Sequence, residues 1–511
     1  MRRITDHRLD PGGFDDSLQG LVRSSPWWTL SLAVHGLAAL ILWHTPFLTQ
    51  RVSAAVFVEA PPPDPPKPPV EDPPPPDLPE PPDERAEVDP IEVEDDPPAQ
   101  DDLDIDDDAT MGEEGDHSGP FEGIGENPDI GLGGGATGGP PGPGGRKRGR
   151  ARLRTEITGI TVELALKWLA DHQDVDGQGM WDCDEFMKHD PADDKCDGPG
   201  KALYDPGVSG LALLAFLGAG YTDRGTKRDN PYAKNVRMGL RYLQTIQDDE
   251  GCFGPRQSQH FVYNHAIAAL AMSEAWAMTR NPRYKKAAQD ALNFISTARN
   301  PYLAWRYGVR PGDNDSSVTG WMVMALKSGK FGGLDIDPDA FEGARAWIDK
   351  MTDPDFGLTG YLQAGGPSAR PEGLQNKFPA EKSQSMTAVG ILTRIFLGEN
   401  PRESKMIRKG AERCLLIPPV WNPDDGSIDM YYWYYATLAL YQVGGTTWKR
   451  WNRAMVDAVV KSQHPRGSGS RTGSWDPIGP WGPDGGRVYS TATLAMCLEV
   501  YYRYDRVFGL R

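Results

Sequence analysis

The chain has 511 residues, with 54 Lys and Arg against 72 Asp and Glu and a formal net charge of −18 at pH 7. Residues 59–145 hold 26 acidic residues against only Lys67 and Arg85, so that stretch carries −24 and the remainder +6, which excludes an acidic folded part and gives no footprint for nucleic acid. Five cysteines exclude a disulfide-built scaffold, and the odd count leaves at least one thiol unpaired or bonded to another chain.

Residues 1–26 read as a cytoplasmic segment and 27–49 as one transmembrane helix. From residue 27 to 48 the sequence is WWTLSLAVHGLAALILWHTPFL, without Lys, Arg, Asp or Glu, and about twenty such residues span a bilayer. Arg2, Arg3, Arg8 and Arg23 precede it and Arg51 follows. The positive-inside rule therefore places the N-terminus in the cytoplasm and the rest on the periplasmic, extracytoplasmic side of an inner membrane. A signal peptide cleaved near Ser53-Ala54-Ala55 is the competing reading, although a 26-residue leader before the apolar run is long for one. Ser31 and His35 are spaced i, i+4 and share a helix face; polar groups in hydrocarbon are functional candidates. The run SLAVHG, with a Pro-rich charged stretch after it, resembles the TonB family of energy-transducing proteins. That resemblance implies a proton-driven membrane motor as partner of the Ser31 and His35 face. It covers about the first hundred residues, and the family's receptor-binding domain has no visible counterpart. A locally satisfied polar pair is the plainer reading.

Residues 50–150 read as a disordered linker. Seventeen prolines fall between residues 61 and 98, which predicts an extended polyproline rod reaching roughly 120 Å at ~3.1 Å per residue. An acidic run at 101–108 follows, then a tract at 131–145 in which nine of fifteen residues are Gly. Neither has the apolar content to offset the entropy of ordering.

Residues 151–511 alternate one-faced amphipathic segments with segments apolar nearly all round. The second kind begins near Gly207, Tyr263, Ser316, Ser385, Tyr431 and Tyr489. A helix apolar on every side must be buried, whereas a one-faced helix can form an outer layer. The predicted fold is all-α, a closed ring of six inner helices, each preceded by an outer partner. The outer segments end in a recurring phrase: Trp168, Gln173, Gly179 and Trp181; Tyr242, Gln247, Gly251 and Phe253; Val459, Gln463, Gly473 and Trp475. In degenerate copies Arg299 and Thr352 replace the Gln, with Trp305 and Tyr361 as the aromatics. The phrase resembles the Gln-Trp repeat of the squalene cyclase and prenyltransferase superfamily over about 350 residues, which implies an (α/α)6 toroid.

In such toroids the inner-helix N-termini share one mouth, where N–H groups and dipoles favour anions. This sequence puts Asp205, His260, Tyr263, His265, Asp313, Asp315, Gln384, Asp429, Tyr431, Trp433, Arg487 and Tyr489 there. The cyclases of the superfamily carry Asp-x-Asp-Asp, the middle Asp acting as proton donor; the similar segment here is Asp313-Asn314-Asp315-Ser316, in which the last acid is Ser. The prenyltransferase zinc ligands Asp, Cys and His would fall on Asp313, Asp315 and Ser490, so that triad is broken and neither metal nor cofactor is expected. Helix capping is the plain role for Asp315, and His265 reads as a packed residue rather than a base. The sequence thus favours a membrane-anchored toroid binding an unidentified ligand or partner at its mouth. The alternative is an enzyme using Asp313 and Asp315 on an isoprenoid, or a carboxylate pair on a glycan. Cys183 and Cys196 flank an acidic insertion and are expected to form a disulfide in an oxidising compartment, with a metal site involving His189 as the sharper alternative. Cys252, Cys414 and Cys497 read as core residues.

Overall fold

The structure is a computed structural model that describes residues 31, 34–36, 156–258 and 260–500. The predicted transmembrane span and linker lie almost wholly outside these residues. No helix among the described residues is long and apolar enough to cross a membrane. Contacts separate residues 1–99 from 100–511, and the fold below belongs to the second unit.

Twelve α-helices of the described residues build it: α1 (Ile157–Asp171), α2 (Asp205–Gly218), α3 (Ala233–Thr245), α4 (Phe261–Thr279), α5 (Pro282–Ala298), α6 (Ser316–Phe331), α7 (Pro338–Met351), α8 (Ser385–Phe396), α9 (Lys405–Cys414), α10 (Met430–Val443), α11 (Gly445–Ser462) and α12 (Gly482–Leu498). Even-numbered helices pack in sequence, α2 on α4 through to α10 on α12, and α12 returns to α2, which closes an inner ring. The odd-numbered helices lie outside it, and α11 meets α1 to close the outer layer. Composition sorts the layers: every residue of α2 and α8 is buried, whereas α3 and α9 bury one face only. The fold is therefore an α/α toroid. Its pairing differs from the sequence expectation, because the inner helices other than α6, which packs equally on both neighbours, pack more extensively on the outer helix that follows them, and α12 on α1. The chain thus closes by borrowing its first helix as the last outer partner.

The recurring Gln phrase is the staple of this closure. Gln173 Nε2 donates to Gly179 O (2.7 Å) and to Asn235 O of α3 (3.0 Å), and Gln247 repeats this with Gly251 O (3.0 Å) and Ala287 O of α5 (2.9 Å). Gln463 donates to Gly473 O (2.9 Å) and to Thr161 O of α1 (2.8 Å), joining the two ends of the ring. The glycines need their left-handed φ of 86°, 91° and 90°, and a Cβ on any of them would press into the carbonyl of Met238, Asp290 or Leu164 on the next outer helix. The aromatics then tie the turn back, with Trp181 Nε1 donating to Leu169 O, Trp305 Nε1 to Ile295 O and Trp475 Nε1 to Val459 O. Gln463→Leu is expected to lower unfolding free energy by about 1–3 kcal/mol, since two carbonyls lose a donor they had on folding; urea unfolding of the full chain measures it, and an unchanged midpoint would show that the staple is dispensable.

Candidate functional site

The N-terminal ends of the inner helices meet round one rim, linked by side chains. Tyr204 OH lies 3.3 Å from His260 Nδ1, Tyr263 OH of α4 donates to Ser317 Oγ of α6 at 3.0 Å, and Ser317 Oγ lies 2.8 Å from Tyr431 OH of α10. The α6-to-α10 link crosses the interior, since α8 stands between those helices in the ring. Deeper in, Trp321 of α6 stacks on Tyr434 (5.8 Å between ring centroids) and meets Tyr435 edge-on (5.4 Å), so aromatic rings fill the interior below the rim.

Asp315 stands at the head of α6 with no exposed surface. Its Oδ1 caps the helix by accepting from Val318 N at 2.7 Å. Its Oδ2 has no hydrogen-bond partner among the described residues, and Arg306 Nε stands 3.9 Å away. Burial pushes this carboxyl up to about 7, against the downward pull of the Val318 N–H and the Arg306 guanidinium. Tyr263, Tyr307, Tyr361 and Tyr431 are each pushed up by burial and by the charge of Asp315, so all four remain neutral O–H donors. Tyr307 OH and Tyr361 OH are 2.6 Å apart, and the His260 ring meets Tyr307 at 4.6 Å. Asp313 is paired with Arg306 and is half-exposed. The result is a buried, protonatable acid beside Arg306, with four neutral tyrosine hydroxyls around it.

Most of the other rim candidates are committed to the scaffold. His265 Nδ1 accepts from Phe253 N (3.1 Å) while its Nε2–H donates to Ala291 O (3.1 Å), and burial lowers it to about 3, so it is a neutral latch for the second Gln turn. Asp429 is buried against Arg370 Nη2 at 3.0 Å, accepts from Ser383 Oγ at 2.8 Å and caps α10 through Tyr432 N. Arg487 is buried and pairs with Asp197 and with Asp476 (2.8 Å), holding the 182–201 insertion on the last loop. Trp433 is buried beside Trp421. Gln384 accepts from Thr387 Oγ1 and lines a separate cavity of about 250 Å³ with Thr359, Ser368 and Ser383. Tyr489 is half-buried, its hydroxyl without a partner among the described residues. Asp205 accepts from Cys183 N at 2.8 Å and is pushed up to about 7 by burial.

Cys183 and Cys196 are free thiols, which corrects the expected disulfide. Cys183 Sγ faces Gly485 O (3.6 Å) and Cys196 Sγ faces Ser470 O (3.1 Å), because the insertion docks its two ends on different parts of the C-terminal region. In the N-terminal unit the described residues Ser31 and His35 are helical, and His35 Nδ1 lies 2.7 Å from Ser31 O, the geometry of a locally satisfied pair.

Arg306, Tyr307 and Ser317 were not singled out by sequence, and Tyr361 stood only as a repeat aromatic. The available signal was the polar and aromatic character of the strings Trp305-Arg306-Tyr307 and Asp315-Ser316-Ser317 flanking the acid.

No protein-family profile matches the chain, and no curated protein matches it. Among solved structures it is similar to an inactive variant of an alpha-1,6-mannanase of Salegentibacter in complex with alpha-1,6-mannotriose, at 11% identity over 67% of this chain and 98% of that one, with a TM-score of 0.45. It is also similar to an alpha-amylase from Clostridium perfringens, at 11% identity over 68% and 98%, TM-score 0.43. A third is the type II terpene cyclase MstE from Scytonema, at 11% identity over 68% and 97%, TM-score 0.41 for the ligand-free form.

Proposed function

We propose that the toroid is an acid-initiating enzyme in which Asp315 protonates an apolar, alkene-bearing substrate of the isoprenoid class. The observation that carries this reading is the Asp315 Oδ2, buried and without a hydrogen-bond partner among the described residues, belonging to a carboxyl raised to about 7 by burial despite Arg306 at 3.9 Å, so that a neutral acid is available near neutrality. In the step, the carboxyl O–H gives its proton to one alkene carbon, the π pair forms the new C–H bond, and the cation develops on the neighbouring carbon. The faces of Tyr263, Tyr307, Tyr361 and Tyr431 supply quadrupole attraction for that cation in a dry site. Loss of a proton from an adjacent carbon restores a neutral product. Arg306 and Tyr307 must move to admit the substrate, since Asp315 has no exposed surface.

A glycoside mechanism would need a second free carboxylate across the scissile bond. Asp313 is tied to Arg306 and Asp429 to Arg370, and Asp205, also raised by burial, accepts from Cys183 N of the insertion, which favours the single-acid reading. Incubating the full chain with linear polyprenyl substrates in D2O tests it: the product is expected to gain one deuterium at the initiating carbon, and no uptake into any such substrate would oppose the reading.

We further propose that residues 27–48 anchor the chain in a membrane, where such lipid-soluble substrates reside; the support is the uncharged apolar run itself. The chain is expected to stay with membranes through alkaline carbonate washing, and release from them would rule out an integral anchor. Engagement of a proton-driven motor by the Ser31 and His35 face rests on the sequence resemblance alone.

A further inference from the structure

Outside the Asp315 site, three metal-binding side chains converge where the ring closes. His172 follows α1 as its C-cap, Asp190 and Cys196 belong to the insertion between α1 and α2, and their ligand atoms all lie within 4.8 Å of one another. His172 Nε2 is 2.7 Å from Asp190 Oδ1 and 3.8 Å from Cys196 Sγ. The side chains of His172 and Asp190 are 4% and 3% exposed, and Cys196 is 5% exposed.

The imidazole is fixed in orientation. Its ring stacks on Trp168 at 4.0 Å, and Nδ1 lies 2.7 Å from Trp168 O, so Nδ1 carries the proton and donates it to that carbonyl. The Nε2 lone pair then faces a carboxylate oxygen at 2.7 Å. Two acceptors at that distance need a positive species between them, either a proton or a metal ion. An Nδ1–H held by a backbone carbonyl is the usual second-shell arrangement of a metal-binding histidine. Asp190 is fixed in turn, its Oδ2 accepting from Cys196 N at 2.8 Å.

We propose that this chain binds one Zn²⁺ through His172 Nε2, an oxygen of Asp190 and Cys196 Sγ, with the fourth position open to the adjoining cavity. Bond lengths of about 2.0–2.3 Å in a tetrahedron set ligand separations of roughly 3.3–3.6 Å, so the observed 2.7 and 3.8 Å require only adjustments of about half an ångström. A thiolate with an imidazole selects Zn²⁺ over Ca²⁺ or Mg²⁺. The neighbouring cavity, about 510 Å³, is lined by His172, Asp190, His189 and Ser470, leaving room for water or a ligand as the fourth donor. Binding displaces the Cys196 thiol proton, now facing Ser470 O, to solvent. Because the donors come from the end of α1 and from the insertion, the ion would tie the insertion to α1.

The test uses the full chain in detergent, stripped with chelator and titrated with Co²⁺ and then Zn²⁺. One equivalent of Co²⁺ is expected to give a thiolate charge-transfer absorption that Zn²⁺ abolishes. Cys196→Ser should remove the absorption and weaken Zn²⁺ by about 100-fold or more, as loss of one of three protein ligands implies, while Cys183→Ser should leave both intact. In the unmodified chain, Zn²⁺ should protect Cys196 and not Cys183 from alkylation, a readout that does not depend on a variant folding. Absence of the absorption, survival of the absorption in Cys196→Ser, or equal alkylation of Cys196 with and without Zn²⁺ would overturn the site and leave an imidazolium–carboxylate pair.

Discussion

Asp315→Asn is expected to abolish proton-initiated turnover while leaving the toroid folded and, above neutrality, more stable. The amide oxygen still caps α6 through Val318 N, so the helix head is retained. Loss of the acid should lower the rate by about 10²–10⁴-fold. The pH dependence has a defined sign. Burial raises the Asp315 carboxyl to about 7, above the ordinary ~3.9 of an unfolded chain. Between about pH 4 and 7 the folded chain therefore holds a proton that the unfolded chain has released, and stability falls as pH rises through that window. The Asn variant removes this contribution, so its thermal midpoint should decline less than that of the unmodified chain between pH 5 and 8, with the difference greatest at pH 8. Turnover by the unmodified chain should itself fall above about pH 7, as the acid ionises. Parallel pH profiles of midpoint for the two proteins would show that Asp315 is not buried as a neutral acid. Retained deuterium uptake by the variant would remove it as the proton donor.

Arg370→Met is expected to be the most destabilising single change at the rim, by about 3–5 kcal/mol, because it strands a buried carboxylate. Arg370 and Asp429 have side chains 4% and 3% exposed and meet at 3.0 Å, and Arg370 Nε also donates to Phe378 O at 3.0 Å. Adding Asp429→Asn should recover most of the loss, because the amide keeps the cap on α10 and leaves no unpaired charge. Guanidinium unfolding of the single and double variants measures this. A double variant as unstable as Arg370→Met would place the cost in packing of the 365–384 segment rather than in the charge. The same pair explains why Asp429, an apparent rim acid in sequence, is unavailable for chemistry: its two oxygens are taken by a guanidinium, a hydroxyl and a helix N–H.

The layers of the ring were legible because burial is a local property of composition. α2 reads GVSGLALLAFLG after Asp205 and Pro206 and buries every residue, whereas α9, KMIRKGAERC, buries Ile407, Gly410, Ala411 and Cys414 only. The Gln staples were legible for a related reason. A helix end, a left-handed Gly and an aromatic must follow one another at short range, and Gln173, Gln247 and Gln463 all sit in that order. The closer packing of most inner helices on the outer helix after them was not legible, since both neighbours in the chain are amphipathic and only ring packing distinguishes them.

The candidate sites divide in the same way. Asp315 could be named from a short motif at a helix start, but its raised carboxyl depends on complete burial by the closed ring, which outweighs the pull of Arg306 and of the Val318 N–H. Cys196 shows the converse: twelve residues separate it from Cys183 in the chain, which suggests a disulfide, yet their thiols face Ser470 and Gly485 respectively. Hydrophobic periodicity and turn chemistry act over a few residues, so the inner and outer helices, their number and the three Gln-stapled turns could be read from the chain alone. Which charged groups are spent on ion pairs, that burial raises the Asp205 and Asp315 carboxyls, and that His172, Asp190 and Cys196 meet came only with folding. Those outcomes depend on desolvation and on distances between residues far apart in the chain.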